Sequence, residues 1–457
     1  MKSMHAIFLA GLLACSVATA EETAKFGRFG EVVIYGDAKT ANKVVLFVSG
    51  DGGWNEGVVD MARDFSGNGA LVVGIDIRRY LAALAKTRDK CAYPAADFEA
   101  LSQAMQKKLS FERYITPLLA GYSSGATLVY ATLAQSPPNT FGGAISLGFC
   151  PDLAFSQPLC AGSGLKSTPS TDARAQELAA GPLPARWAVL QGGQDQVCKL
   201  ADVTAFTAQI PQATLFELPK VGHGFSKAEN WLPQLRTALD GLVASTPTAA
   251  QPAAIGDLPL VEVPSNAAGD TLAVIVSGDG GWAGIDKSLG EAFAADGIAV
   301  VGLNSLQYFW KKRDPDETSR DLERVLRHYG PAWNRSKFLL VGYSTGADVM
   351  PFMVSRLPAD LRARVKLVAL LSPNSHASFE FRVGQWIGAA ADDALPVKPE
   401  IAKLTGTRVL CIHGDRETDT LCDELGPAMA ASQTRKGGHH YDGDFRALAA
   451  DILKAAH

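Results

Sequence analysis

The chain has 457 residues, of which 47% are hydrophobic and 20% charged, with a formal net charge of −4. This profile excludes a disordered or collagen-like chain and one built to neutralise nucleic acid, so no nucleic-acid partner is expected. The length allows two large α/β domains, each big enough to bury its own core.

Lys2, the apolar run from Ala6 to Cys15 and the small residues Ala18-Thr19-Ala20 have the order of a Sec-type signal peptide. Residues 1–20 are therefore expected to be removed on leaving the cytoplasm, which takes the net charge from −4 to −5. The alternative of lipidation at Cys15 meets a bulky leucine in Leu12-Leu13-Ala14, where a small or β-branched residue is usual. No later stretch supplies the ~20 apolar residues of a membrane span, so the mature chain is expected to lack one, and a substrate held in a membrane surface stays open.

Val44–Val48 is an apolar run ending in Ser49-Gly50-Asp51-Gly52-Gly53-Trp54, which reads as a buried strand entering a glycine-rich turn. Leu71–Ile75 reads as a strand and Phe98–Leu109 as a helix. Gly121-Tyr122-Ser123-Ser124-Gly125 then follows apolar Pro117–Ala120 and precedes helical Leu128–Leu133. In a Gly-x-Ser-x-Gly pattern a strand turns sharply into a helix and lifts the serine hydroxyl above the sheet, with glycines where side chains would collide. That hydroxyl needs a base, and the base needs an orienting carboxylate. Between residues 21 and 243 the sole histidine is His223, 100 residues after Ser123, and Asp195 follows strand-like Trp187–Leu190 as the natural orienting acid.

Residues 244–256, poor in charge and rich in Pro, Ala and Thr, read as a linker between an N-terminal domain at 21–243 and a C-terminal domain at 257–457. Beyond it the pattern repeats. Leu272–Val276 leads into Ser277-Gly278-Asp279-Gly280-Gly281-Trp282, Ala299–Leu303 reads as a strand and Arg320–Tyr329 as a helix. Gly342-Tyr343-Ser344-Thr345-Gly346 comes 67 residues after the turn's serine, against 74 in the first copy, which marks a tandem duplication with loop-length drift. Alternating strands and helices imply parallel sheets covered on both faces, with reactive groups at the strands' carboxyl ends.

In the second copy the base is His439, the histidine that follows Gly437-Gly438, with His440 a neighbour. The acid is ambiguous: aligning Gly414 with Gly192 selects Glu417, whereas aligning Cys422 with Cys198 selects Asp419, favoured because both copies would then use aspartate. The turns at Asp51-Gly52 and Asp279-Gly280, with the N–H groups of Ser124 and Thr345, form the expected oxyanion holes. Their aspartates either contact a cationic group or brace the turn, and Trp54 and Trp282 are expected to pack. Apart from Cys15, six cysteines remain, four in the first copy and two in the second, none in metal-ligand spacing. No metal or cofactor is expected, and a Cys411–Cys422 bridge would clamp the acid loop. Tyr308-Phe309-Trp310-Lys311-Lys312-Arg313 suits either an anionic lipid interface or a helix start with its aromatics turned inward. The first copy has the weaker Arg78-Arg79-Tyr80-Leu81, which favours the second copy as the working site.

The turn Ser277–Trp282, the Tyr308–Pro315 stretch, Gly342–Gly346 and the Gly437–Asp444 ending resemble the VirJ/AcvB family of bacterial virulence proteins, most strongly over 257–457, and the whole chain is similar to the longer AcvB form. The resemblance implies two tandem α/β-hydrolase domains in the periplasm, an association with type IV secretion components, and hydrolysis of the aminoacyl ester of lysyl-phosphatidylglycerol. Carried over by position, Ser344 becomes the nucleophile, His439 the base and Asp419 the acid, with Ser123, Asp195 and His223 a second triad kept in the diverged copy. Two alternatives remain: a non-catalytic periplasmic adaptor or chaperone on a hydrolase scaffold, and a secreted esterase of unrelated substrate. Pocket walls would come from the irregular segments 156–184 and 375–399, expected to be partial lids.

Overall fold

The computed structural model describes residues 22–171, 173–244, 255–383 and 393–456. The expected signal peptide and most of the expected linker lie outside them, although Ile255, at the linker's end, is already fully buried in the second half's core.

The first half is built on eight strands: β1 (Glu22–Phe26), β2 (Gly30–Tyr35), β3 (Lys43–Val48), β4 (Ala70–Ile75), β5 (Leu118–Tyr122), β6 (Gly143–Leu147), β7 (Trp187–Gly192) and β8 (Ala213–Leu218). Their order is β1-β2-β4-β3-β5-β6-β7-β8, with β2 antiparallel to β1 and β4 and every other pair parallel. The second half has seven: β9 (Leu260–Val263), β10 (Thr271–Val276), β11 (Ala299–Leu303), β12 (Lys337–Tyr343), β13 (Val365–Leu371), β14 (Val409–Gly414) and β15 (Ala431–Arg435). They run β9-β11-β10-β12-β13-β14-β15, antiparallel only at β9–β11. The two sheets are mostly parallel and flanked by helices, so the chain is a tandem pair of α/β units.

Strand β3 shows why these sheets are covered on both faces. Val44, Leu46 and Val48 enter one apolar cluster, Val45 and Phe47 the opposite one, and all five are fully buried. After β3 the chain adds β4 on one side and then crosses to add β5 on the other; after β10 it does the same with β11 and β12. The crevice at such a reversal, beyond the strands' carboxyl ends, is where an open α/β sheet places its ligand. The two serine motifs and the two glycine-rich turns sit there. Helix α1 (Pro94–Lys108) begins earlier than its apolar pattern suggests, at a proline whose missing N–H costs nothing in a first turn. Helices α2 (Ser124–Gln135) and α3 (Thr345–Ser355) start directly after the two serines.

Three disulfides lie within the halves: Cys91–Cys160, Cys150–Cys198 and Cys411–Cys422. The segment 156–184 contributes to a small antiparallel sheet of Asp152–Leu153, Lys166–Pro169 and Gln176–Ala179, and its counterpart in the second half lies partly outside the described residues. None of the described helices is long and apolar enough to cross a membrane.

The aromatics of the aromatic–cationic stretch turn inward. Tyr308, Phe309 and Trp310 are 1%, 1% and 2% exposed, whereas Lys311 and Lys312 extend outward to Glu112 and Asp393. Trp310 and Phe381, with Leu306, belong to the apolar cluster of the first half. Trp310 stacks on Phe381 at 5.7 Å, meets Tyr114 at 5.2 Å and donates its indole N–H to Phe111 O at 2.8 Å. Across the same seam Asn139 Nδ2 donates to Trp282 O at 3.0 Å. Tyr308 and Phe309 turn into the second half's own core, and Trp310 turns inward because a second apolar surface, the one around Phe111 and Tyr114, exists to receive it.

Trp310→Ala in the full chain is expected to destabilise this seam by about 3–5 kcal/mol, the usual cost of truncating a buried large aromatic. Denaturant unfolding followed by tryptophan fluorescence should show an earlier first transition; an unchanged midpoint would mean the ring contributes nothing to docking.

Candidate active sites

Each site starts from two backbone segments pressed together. Ser123 and Ser344 adopt φ 55°, ψ −125° and φ 52°, ψ −121°, a conformation that costs a non-glycine residue about 1–3 kcal/mol and persists only when its surroundings enforce it. The enforcement is visible at the glycines. A Cβ on Gly125 would collide with the carbonyl oxygens of Val48 and Ser49, and one on Gly346 with those of Val276 and Ser277. Gly50 and Gly278 bring the glycine-rich turns against the nucleophile, since a Cβ there would lie 3.0 Å and 3.5 Å from the Cβ atoms of Ser123 and Ser344. The first serine of each turn, fully buried, pins it to the neighbouring strand end: Ser49 Oγ accepts from Ile77 N at 3.1 Å and Ser277 Oγ from Ser305 N at 2.9 Å. Trp54 and Trp282 pack over Gly74 and Gly302, where any larger residue would strike the indole. With Asp51-Gly52 or Asp279-Gly280 beside the serine, and Ser124 or Thr345 opening a helix whose N-terminus favours negative charge, both crevices have the makings of an oxyanion site.

In the first half the expected residues meet. Ser123 Oγ lies 2.9 Å from His223 Nε2, and His223 Nδ1 lies 2.8 Å from Asp195 Oδ2. The Asp195 side chain is fully buried, and it accepts from Gln191 Nε2 at 3.1 Å and from the N–H groups of Val197 and Cys198, both at 2.9 Å. These donors stabilise the carboxylate and leave one oxygen edge for the imidazole. Asp195, Cys198 and His223 also have their ligand atoms within 4.8 Å of one another, but the sulfur of Cys198 is bonded to Cys150, so this grouping reads as a serine–histidine–acid relay.

In the second half the acid differs from the one favoured by sequence. Glu417 Oε1 lies 2.7 Å from His439 Nδ1, while its Oε2 accepts from Gly414 N at 2.6 Å and Ser372 Oγ at 2.8 Å; Asp419 is exposed two residues further on. The cysteine alignment that selected Asp419 fails because the two cysteines are not equivalent: Cys198 bridges to Cys150, Cys422 to Cys411. The glycine alignment holds, since both acids stand three residues after the last residue of their strand. Burial works to raise the Glu417 pKa, but the hydrogen bonds from His439, Gly414 and Ser372 hold it below its ordinary value. Among the described residues no hydrogen bond joins Ser344 Oγ to His439, whose side chain is 40% exposed against 20% for His223. The first relay is closed and the second stands open.

Further residues complete the sites. Tyr122 and Tyr343 donate to the carbonyls of His223 and His439 at 3.0 and 3.1 Å, fixing each histidine loop to the elbow; the tyrosine repeated in both motifs was the available signal. Tyr343 also meets His440 Nδ1 at 2.8 Å, and burial, then the neighbouring His439, lowers the His440 pKa. Asp348, on the first turn of α3, is 4% exposed and accepts from Asn374 N and Nδ2 at 2.6 and 3.0 Å. Burial, offset by those bonds and reinforced by Asp279, pushes its pKa up to about 8. Asp279 is itself raised, chiefly by burial. A third carboxylate crosses from the first half: Glu99 of α1 lines a small cavity with Gly280, Trp282 and Asn304, and burial plus Asp279 pushes its pKa up to about 8. Nothing in the sequence pairs residue 99 with residue 279.

The profile of the VirJ family, described as a bacterial virulence protein, matches residues 42–142 and 270–457. No curated protein matches the chain. Among solved structures, XC6422 from Xanthomonas campestris, described as an α/β serine hydrolase without a lid, is 22% identical, covering 51% of this chain and 96% of its own, with a TM-score of 0.33. Est1E from Butyrivibrio proteoclasticus is 13% identical, covering 49% and 99% at the same score. The esterase domain of a Rhodothermus marinus protein is 14% identical, covering 48% and 96%, also at 0.33.

With Ser123→Ala silencing the first site, Glu417→Gln is expected to lower kcat for ester hydrolysis by about 10³-fold or more, as loss of the orienting carboxylate does in such relays. Asp419→Asn should leave kcat unchanged. The reverse pattern would return the role to Asp419.

Proposed function

The chain belongs to the VirJ family of bacterial virulence proteins, and from that premise we propose that it is a periplasmic serine hydrolase that removes lysine from lysyl-phosphatidylglycerol. The observation that supports this most is the assembly at the second crevice: a serine held on a strained elbow, a histidine oriented by a buried-edge carboxylate, and two further carboxylates, Asp279 and Asp348, beside them. The first three parts suit acyl transfer, and Asp279, on the turn beside Ser344, suits an acyl group bearing ammonium charge.

In this reading the lipid's aminoacyl ester enters with its carbonyl carbon over Ser344. His439 Nε2 takes the hydroxyl proton as Ser344 Oγ attacks, and Glu417 stabilises the imidazolium through Nδ1. Charge developing on the carbonyl oxygen is met by N–H groups of the Asp279-Gly280 turn and of Thr345 at the start of α3. His439 then gives its proton to the glycerol oxygen as the acyl C–O bond breaks. Water, deprotonated by the same nitrogen, releases lysine and restores the serine. The Ser344–His439 hydrogen bond closes in this reading when substrate binds, a tightening common in such sites.

The test is lysine release from vesicles containing lysyl-phosphatidylglycerol. Wild type and Ser123→Ala are expected to release lysine, and Ser344→Ala to lose at least ~10³-fold. Release that survives in Ser344→Ala, or none from wild type, would refute the assignment.

A further inference from the structure

We propose that the first half is a second hydrolase in its own right, acting at Ser123 on esters whose acyl part carries no positive charge. The inference stands apart from the lysyl-lipid reading, because it concerns a different nucleophile and rests on the contrast between the two crevices.

The first observation is readiness. Ser123, His223 and Asp195 form an unbroken line of hydrogen bonds at 2.9 and 2.8 Å, and the acid is held by three further donors. A relay retained merely as scaffold has no physical need for a hydroxyl within bonding distance of the base, nor for the strained serine at φ 55° that puts it there.

The second observation is charge. The carboxyl groups around the second crevice are only partly matched around Ser123. Four residues after the nucleophile, Asp348 becomes Thr127, and each anchors the loop after the next strand, Asp348 to Asn374 and Thr127 to Cys150 O at 2.7 Å. The loop anchor survives while the ionisable group goes. In the glycine-rich turn, half-buried Asp279 corresponds to Asp51, which is exposed. Glu99, although part of the first half, faces the second half's turn. What the first crevice has instead is Arg78, whose guanidinium lies against Gly53 of the turn; Leu306 lines the cavity at the corresponding place in the second half. The acid beside Arg78, Asp76, is 8% exposed; it lies 3.7 Å from the Arg78 guanidinium and also caps the N–H groups of Arg78 and Arg79. A cationic acyl group entering here meets Arg78 and, as carboxylate, only the solvent-exposed Asp51; a neutral one meets no penalty.

The chemistry balances with water as the second reactant. Ser123 Oγ bonds to the acyl carbon as its proton moves to His223 Nε2; the alcohol oxygen takes that proton as its C–O bond breaks. Water then gives one proton to His223 and its oxygen to the acyl carbon, freeing the carboxylic acid as Ser123 recovers its proton.

The experiment uses the full chain as Ser344→Ala, Ser123→Ala and the double variant, with ethyl butyrate and lysine ethyl ester, which share a leaving group and differ in acyl charge. Ser344→Ala should hydrolyse ethyl butyrate with a kcat/KM at least ~10-fold above that for lysine ethyl ester, and should take up one fluorophosphonate per chain by intact mass. Ser123→Ala should not show that preference, and the double variant should neither turn over nor label. Ser344→Ala inactive on both esters, labelled or not, overturns the proposal, as does an equal rate on both or a preference for the lysine ester. If Ser344→Ala cleaves ethyl butyrate while Ser123→Ala releases no lysine from vesicles, the lysyl-lipid reading falls and this one stands.

Discussion

Both halves depend on one steric constraint: a strand-to-helix elbow carrying the serine is pressed against the carbonyl oxygens at the end of the neighbouring strand. Hydrogen stands in for a side chain at Gly125 and Gly346 because those carbonyls leave no room. That close approach forces the serine into a left-handed conformation, aims its hydroxyl out of the sheet and lays the glycine-rich turn beside it. The topological reversal around β3 and β10 supplies the crevice, and the buried strands supply the rigidity that makes the strain tolerable. A looser fit at either glycine would relax the elbow and lose the alignment of hydroxyl, histidine and N–H donors together.

Much of this was legible because it was written twice. A repeated turn and a repeated elbow, each after an apolar run of strand length, fixed the parallel sheets, the two crevices and the histidines at residues 223 and 439. What a repeat cannot convey is where the copies have parted. Cys198 and Cys422 look equivalent in sequence, but Cys198 bridges to Cys150 in the loop after β6 and Cys422 to Cys411 on β14, so the cysteine was a false landmark and the strand-ending glycine the true one. Glutamate serves where aspartate was expected because its carboxylate still reaches His439 while a second oxygen takes the Gly414 and Ser372 donors. Trp310 and Glu99 were unreadable for a different reason: their partners lie about 200 positions away in sequence, and only the docking of one half on the other brings them near.

That docking makes the halves unequal. The first half lends a carboxylate and a hydrogen bond to the rim of the second site, through Glu99 and through Asn139 to Trp282, and receives a tryptophan in its own core in exchange. Substitutions at residues 99 or 139 belong, functionally, to the second crevice although they fall in the first half of the chain.

The disulfides carry a last implication. Cys198 follows Asp195 by three residues, and the Cys411–Cys422 pair encloses Glu417, so in both halves the loop that presents the orienting acid is tied down by a sulfur bridge. The geometry of each histidine's partner is thus inherited from the redox state in which the chain matures. The same polypeptide with its cysteines reduced would carry its acids on untethered loops.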